Sequence, residues 1–104
     1  MSGSVEGAPF TYKFDVSMMC GGCSNAVNKV LKRLEENETQ VKSYTVLLDI
    51  EKDIHEANVT TDDESPLLYQ KILQTIKKTG KAVNSCVEFD KNGNKVRDMP
   101  VKDE

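Results

Sequence analysis

From Phe10 to Ser17 this chain alternates apolar and polar side chains, and from Ala26 to Leu34 its apolar residues recur at helical spacing. One segment cannot satisfy both periods, because a strand reverses its side chains at every second residue and a helix completes a turn in about 3.6. Between the two segments stands Met18-Met19-Cys20-Gly21-Gly22-Cys23, so strand, loop and helix must follow in that order. Two thiols therefore sit where the strand hands over to the helix.

The reading continues downstream. Val41 to Leu48 predicts a second strand with Tyr44, Val46 and Leu48 on one face, and Ile54 to Thr60 a third carrying Ala57 and Val59. Asp49 to Asp53 forms a charged connection between them. Ser65-Pro66 predicts a helix start, since serine caps a first turn and proline fits it. Leu68, Ile72 and Ile76, joined by Tyr69 and Leu73, make that helix's apolar stripe, and Gly80 ends it. Val83, Ser85, Val87 and Phe89 predict a fourth strand with these residues inward. The order β-α-β-β-α-β points to an α+β fold. Its compact form is the ferredoxin-like sandwich, with two helices on one face of a four-stranded antiparallel sheet. The expected domain spans residues 10–89; residues 1–9 read as a flexible N-terminal tail and 90–104 as a polar C-terminal tail. Asn92-Gly93 could turn a short extra hairpin back onto strand four.

Composition narrows the class. Val, Leu, Ile and Phe make 25 of the 104 residues, above the roughly 20% below which a charged chain stays disordered. No apolar run approaches the roughly 20 residues of a membrane helix, so no membrane insertion is expected. Residues 1–9 carry an acid and no apolar stretch, which fits neither a secretory nor an Arg-rich transit peptide, and the expected location is cytoplasmic. Fourteen basic against seventeen acidic residues give a net charge of −3, which argues against nucleic-acid binding.

In a reducing compartment three cysteines are not a disulfide framework, and two-residue spacing closes too small a loop to staple a fold. Cys20 and Cys23 are therefore chemical. Backbone N–H groups at a helix start favour the thiolate over the thiol. Gly21 and Gly22 leave the loop mobile and the sulfurs uncovered. Two thiolates suit a soft ion of low coordination number, with Cu(I) first among physiological candidates, whereas tetrahedral Zn(II) wants four ligands. A Cys-x-x-Cys pair could equally be a dithiol oxidoreductase centre. Against that stand Gly-Gly between the cysteines, no preceding Trp, and no later Pro at a strand start.

Met18-x-Cys20-x-Gly22-Cys23 followed by Ala26-Val27-Asn28-Lys29-Val30-Leu31 resembles the heavy-metal-associated domain. Ile76-Lys77-Lys78-Thr79-Gly80-Lys81 is similar to the end of the second helix in its soluble single-domain eukaryotic members, the fungal ones above all. Those are copper metallochaperones that carry Cu(I) to copper-transporting P-type ATPases of the secretory pathway. The resemblance implies a copper chaperone rather than an enzyme, with Cys20 and Cys23 as Cu(I) ligands. Its partner would be the metal-binding domain of such an ATPase. A general soft-metal buffer on the same fold stays open, as does a second copy sharing one ion between four thiolates.

The remaining residues support or frame that site. Met18 closes strand one and is expected to tuck under the loop. Lys81 follows a turn that lies beside the metal loop in this fold, where its charge would stabilise two thiolates holding Cu(I). Lys29, Lys32 and Arg33 on helix one and Lys77 and Lys78 on helix two form a basic rim that could steer an acidic partner domain. Cys86 lies five residues beyond Lys81, on the order of 16 Å along a strand, too far to share the ion. Alternation predicts it on the solvent side. His55 reads as an ordinary strand residue.

Overall fold

The computed structural model describes residues 9–18, 21–62 and 66–101. Seven elements follow one another: β1 (Phe10–Val16), α1 (Gly21–Asn37), β2 (Val41–Asp49), β3 (Ile54–Thr61), α2 (Pro66–Lys77), β4 (Val83–Phe89) and β5 (Lys95–Met99). All strand pairs are antiparallel, in the order β2-β3-β1-β4-β5. The expected N-terminal tail lies, apart from Pro9, outside the described residues, as does Ser65, the expected cap of α2.

β1 occupies the centre because every second residue in it is large and apolar. Phe10, Tyr12, Phe14 and Val16 are all buried, and the strand pairs with β3 on one side and β4 on the other. Over them lie Val27, Leu31 and Leu34 of α1 and Leu68, Tyr69, Ile72, Leu73 and Ile76 of α2. Each such side chain removed from water contributes about 1.5–3 kcal/mol. Tyr69 binds the layers together: its ring stacks on Phe14 with centroids 5.9 Å apart and tilts against Tyr12 at 5.2 Å.

The turn after α2 explains its own sequence. The Thr79 hydroxyl donates to the Ile76 carbonyl at 2.7 Å and accepts from the Lys81 N–H at 3.3 Å. Gly80, whose N–H reaches the Lys77 carbonyl at 3.0 Å, has φ 84°. A Cβ there would meet nothing within 4 Å, so the cost of one is purely conformational. Gly80→Ala should therefore lower unfolding free energy in urea by about 1–2 kcal/mol, the usual penalty of a left-handed L-residue.

Two expectations are corrected. The sheet has five strands rather than four, because residues 90–94 turn the chain back and β5 pairs along the outer edge of β4. Asp90 makes that turn, accepting the N–H groups of Asn92 and Asn94 at 2.9 and 3.0 Å. The inward face of β4 also differs. The register with β1 passes from Asp15↔Ser85 to Val16↔Val83, leaving Asn84 as an extra residue. Such a bulge reverses every later side chain. Cys86 and Glu88 consequently oppose Phe14 and Tyr12 and are buried, whereas Val87 and Phe89 oppose Lys13 and Thr11 on the open face. Cys86 is thus a core residue and not a solvent-side thiol.

β5 is held by more than its ladder. Arg97 Nε lies 2.7 Å from Oε1 of the fully buried Glu88, the Tyr69 hydroxyl donates to the Pro100 carbonyl, and Met99 and Val101 pack against the core.

Candidate metal centre

Cys23 is the third residue of α1, half-buried, with its side chain against the edge of the core. The N–H groups of a helix's first turn have no intrahelical acceptor, and no acidic residue occupies the first turn of α1 to compete for their positive end. Negative charge on the Cys23 sulfur is favoured there. Gly22, exposed beside it, puts no side chain over the sulfur. Cys20 lies outside the described residues, as does Met19. The chain positions of Met18 and Gly21 set where that short connection begins and ends.

Met18, the last described residue before the loop, is 2% exposed and belongs to the core cluster. On the β4 side the Ser17 N–H donates to the Ala82 carbonyl at 2.8 Å, and Asn84 Nδ2 donates to Ser17 Oγ at 3.0 Å. These bonds bring the chain just after Lys81 against the end of β1. Lys81, half-buried, is therefore adjacent to the end of β1 through the backbone.

Cys86 stands apart. It faces Phe14, and burial first, opposed by a hydrogen bond with Tyr69 and reinforced by Glu88, pushes its thiol up to about 12. A thiol so held stays protonated at neutral pH, enclosed in the core opposite Phe14.

Charge over the surface is divided. Lys29, Lys32, Arg33 and Lys78 are exposed and Lys77 is half-buried, with Arg33 and Lys78 lining one groove between the helices. Lys71, further up α2, is bound to Glu38 at 2.8 Å. On the opposite side the β2–β3 turn brings Asp49, Glu51 and Asp53 to the same end as the loop, beside an Ile50 that is 65% exposed. Sequence reasoning also missed a contact set at this end: His55 reaches the Val16 carbonyl, Asp15 and Asp53. A lone histidine two residues after an acid was a faint signal for Asp53. Asp15 came from a strand forty residues earlier.

Among the described residues no helix is long and apolar enough to cross a membrane. A family model described as heavy-metal-associated domain matches residues 13–82. The chain is 42% identical over 74 residues to a protein of Schizosaccharomyces pombe named metal homeostasis factor atx1, covering 71% of this chain and 90% of that one. It is 37% identical over 71 residues to a Dictyostelium discoideum protein named copper transport protein ATOX1 homolog, covering 68% and 90%. With copper transport protein ATOX1 of Canis lupus familiaris it shares 36% over 73 residues, covering 70% and 88%.

Proposed function

This chain belongs to the heavy-metal-associated domain family, and from that premise we propose that it is a cytoplasmic copper chaperone and not an enzyme. The observation that supports this most is Cys23 in the first turn of α1, beneath relatives named for copper transport and metal homeostasis. Cu(I) is the cargo, held between the thiolates of Cys20 and Cys23. Two soft donors leave the ion open to a third, so an incoming thiolate can bind before either first ligand leaves. Copper then passes by successive exchange to a Cys-x-x-Cys pair on the metal-binding domain of a copper-transporting P-type ATPase, and no free ion is released.

The chain's own residues divide the work. Met18 holds the loop entrance from below, and Gly22 keeps the approach to the sulfurs unobstructed. Lys81 offsets the net negative charge of a two-thiolate Cu(I) site. Lys29, Lys32, Arg33, Lys77 and Lys78 offer an acidic partner an oriented encounter surface, with the acidic β2–β3 turn repelling the reversed approach.

Titration of the reduced protein with Cu(I) against a competing chelator tests the reading. One equivalent should be retained. Failure to hold Cu(I), together with turnover in a disulfide-reduction assay, would establish the dithiol oxidoreductase in its place. Stronger retention of Zn(II) or Cd(II) would establish a soft-metal buffer.

A further inference from the structure

His55 is the second residue of β3, with its ring against the last residues of β1. Its Nδ1 lies 2.9 Å from the Val16 carbonyl and 2.7 Å from Asp15 Oδ1. Both neighbours accept only, so Nδ1 carries a proton and donates to Val16. Asp15 Oδ1 is buried and takes no hydrogen bond, which leaves the imidazole as the group beside it. The other nitrogen, Nε2, lies 3.5 Å from Asp53 Oδ1. Asp53 closes the β2–β3 turn at φ 57°, its N–H donating to the Ile50 carbonyl at 3.2 Å.

In the neutral ring, the Nε2 lone pair faces the carboxylate of Asp53, whose side chain is 94% exposed, so solvent screens a weakly repulsive contact. A second proton lands on that nitrogen and makes it attractive. The same proton compensates Asp15. Val16 is the last residue of β1, and Ser17 and Met18 lead directly from it to Cys20. Between the β2–β3 turn and this segment lies a cavity of about 150 Å³, with Met18, Leu48, Ile50 and Ile54 on its apolar side and Asp53 and His55 on its polar side. The imidazole spans the gap between the turn and the loop entrance.

We propose that His55 is a positioning residue for the metal-binding loop: a proton-responsive clamp that ties the β2–β3 turn to the end of β1 and so sets how firmly the loop entrance is held. The charged groups facing the ring are Asp15 from β1 and Asp53 from the turn. Glu56 and Lys13, which line the groove on the open face, pair with each other at 3.3 Å. Leu48 opposite on β2 and Ser85 on β4 are uncharged. Burial lowers the affinity of the ring for its proton, but Asp15, the Val16 carbonyl and Asp53 together outweigh it and the pKa is raised above 6.5. The clamp is accordingly at full strength below 6.5 and loosens as pH rises through the higher folded value. A looser entrance at higher pH eases exchange of the cargo; this consequence, unlike the clamp, rests on the copper-chaperone reading.

The chain has one histidine, which makes its titration directly assignable by NMR. In the reduced, metal-free protein the ring should titrate above 6.5, and the amides of Ser17, Met18 and Gly22 should shift with the same midpoint. His55→Gln should abolish those loop shifts. Asp53→Asn, which suits a left-handed position and leaves the ring in place, should lower the midpoint. Loop amides that stay flat while the ring titrates, or that still titrate in His55→Gln, would overturn the clamp. Cu(I) retention against a chelator then tests the consequence. The ratio of wild type to His55→Gln should change across the midpoint by about tenfold, the lower range for partners that orient a metal site. A constant ratio would refute the effect on copper while the amide shifts decide the clamp, and absence of Cu(I) binding in both proteins would refute the chaperone reading alone.

Discussion

Cys20→Ser and Cys23→Ser should each lower Cu(I) affinity by more than about 100-fold, the upper range for losing a group that merely orients a ligand. Serine reproduces the size of cysteine but offers a hard oxygen that stays protonated at neutral pH, so the ion keeps one soft donor instead of two. Folding should change little. Cys23 is half-buried at the edge of the core, and its replacement by an isosteric residue is expected to cost less than about 1 kcal/mol. Chelator competition on both variants, with Cys86→Ser beside them, checks the assignment. Cys86 sits in the core opposite Phe14 as a thiol, so its replacement should leave Cu(I) affinity unchanged. Copper lost with Cys86 and kept without Cys23 would reverse the ligand set.

Arg97→Ala should destabilise the fold by about 2–4 kcal/mol, because it takes an ionic partner from a buried carboxylate. Glu88 is 0% exposed, and Arg97 reaches its Oε1 at 2.7 Å from the edge strand β5. Urea denaturation gives the measurement. Glu88→Gln should cost less, and combining it with Arg97→Ala should cost less than the sum, since the amide needs no counter-charge. A chain ending at Asp90 should lose more than Arg97→Ala, because the packing of Met99 and Val101 and the Tyr69–Pro100 bond go with the strand. Unchanged stability in the truncated chain would make β5 an ornament.

Local readings succeeded where one period ran without interruption. The alternation of Phe10 to Val16 placed β1, the apolar stripes placed both helices, and Gly80 marked the end of α2 with the positive φ such a position takes. The reading of β4 failed at one residue. Asn84 is extra in the pairing with β1, and nothing in Val83-Asn84-Ser85-Cys86 announces a bulge that depends on the neighbouring strand. β5 was signalled by the Asn92-Gly93 turn alone, since its side chains are mostly exposed and its hold on the domain comes through Arg97, Pro100 and Met99.

By itself the sequence determined the order of the first six elements, the Cys23 thiol in the first turn of α1 and the family, because each is written in contiguous residues or in a local period. Tertiary structure alone decided that Cys86 is enclosed, that Glu88 is matched by Arg97, and that the acidic β2–β3 turn shares an end with Ser17 and Met18. It also decided that His55 meets Asp15 and Val16. These are pairings between distant segments, and their register is set by how the sheet closes over its core rather than by any residue's own neighbours.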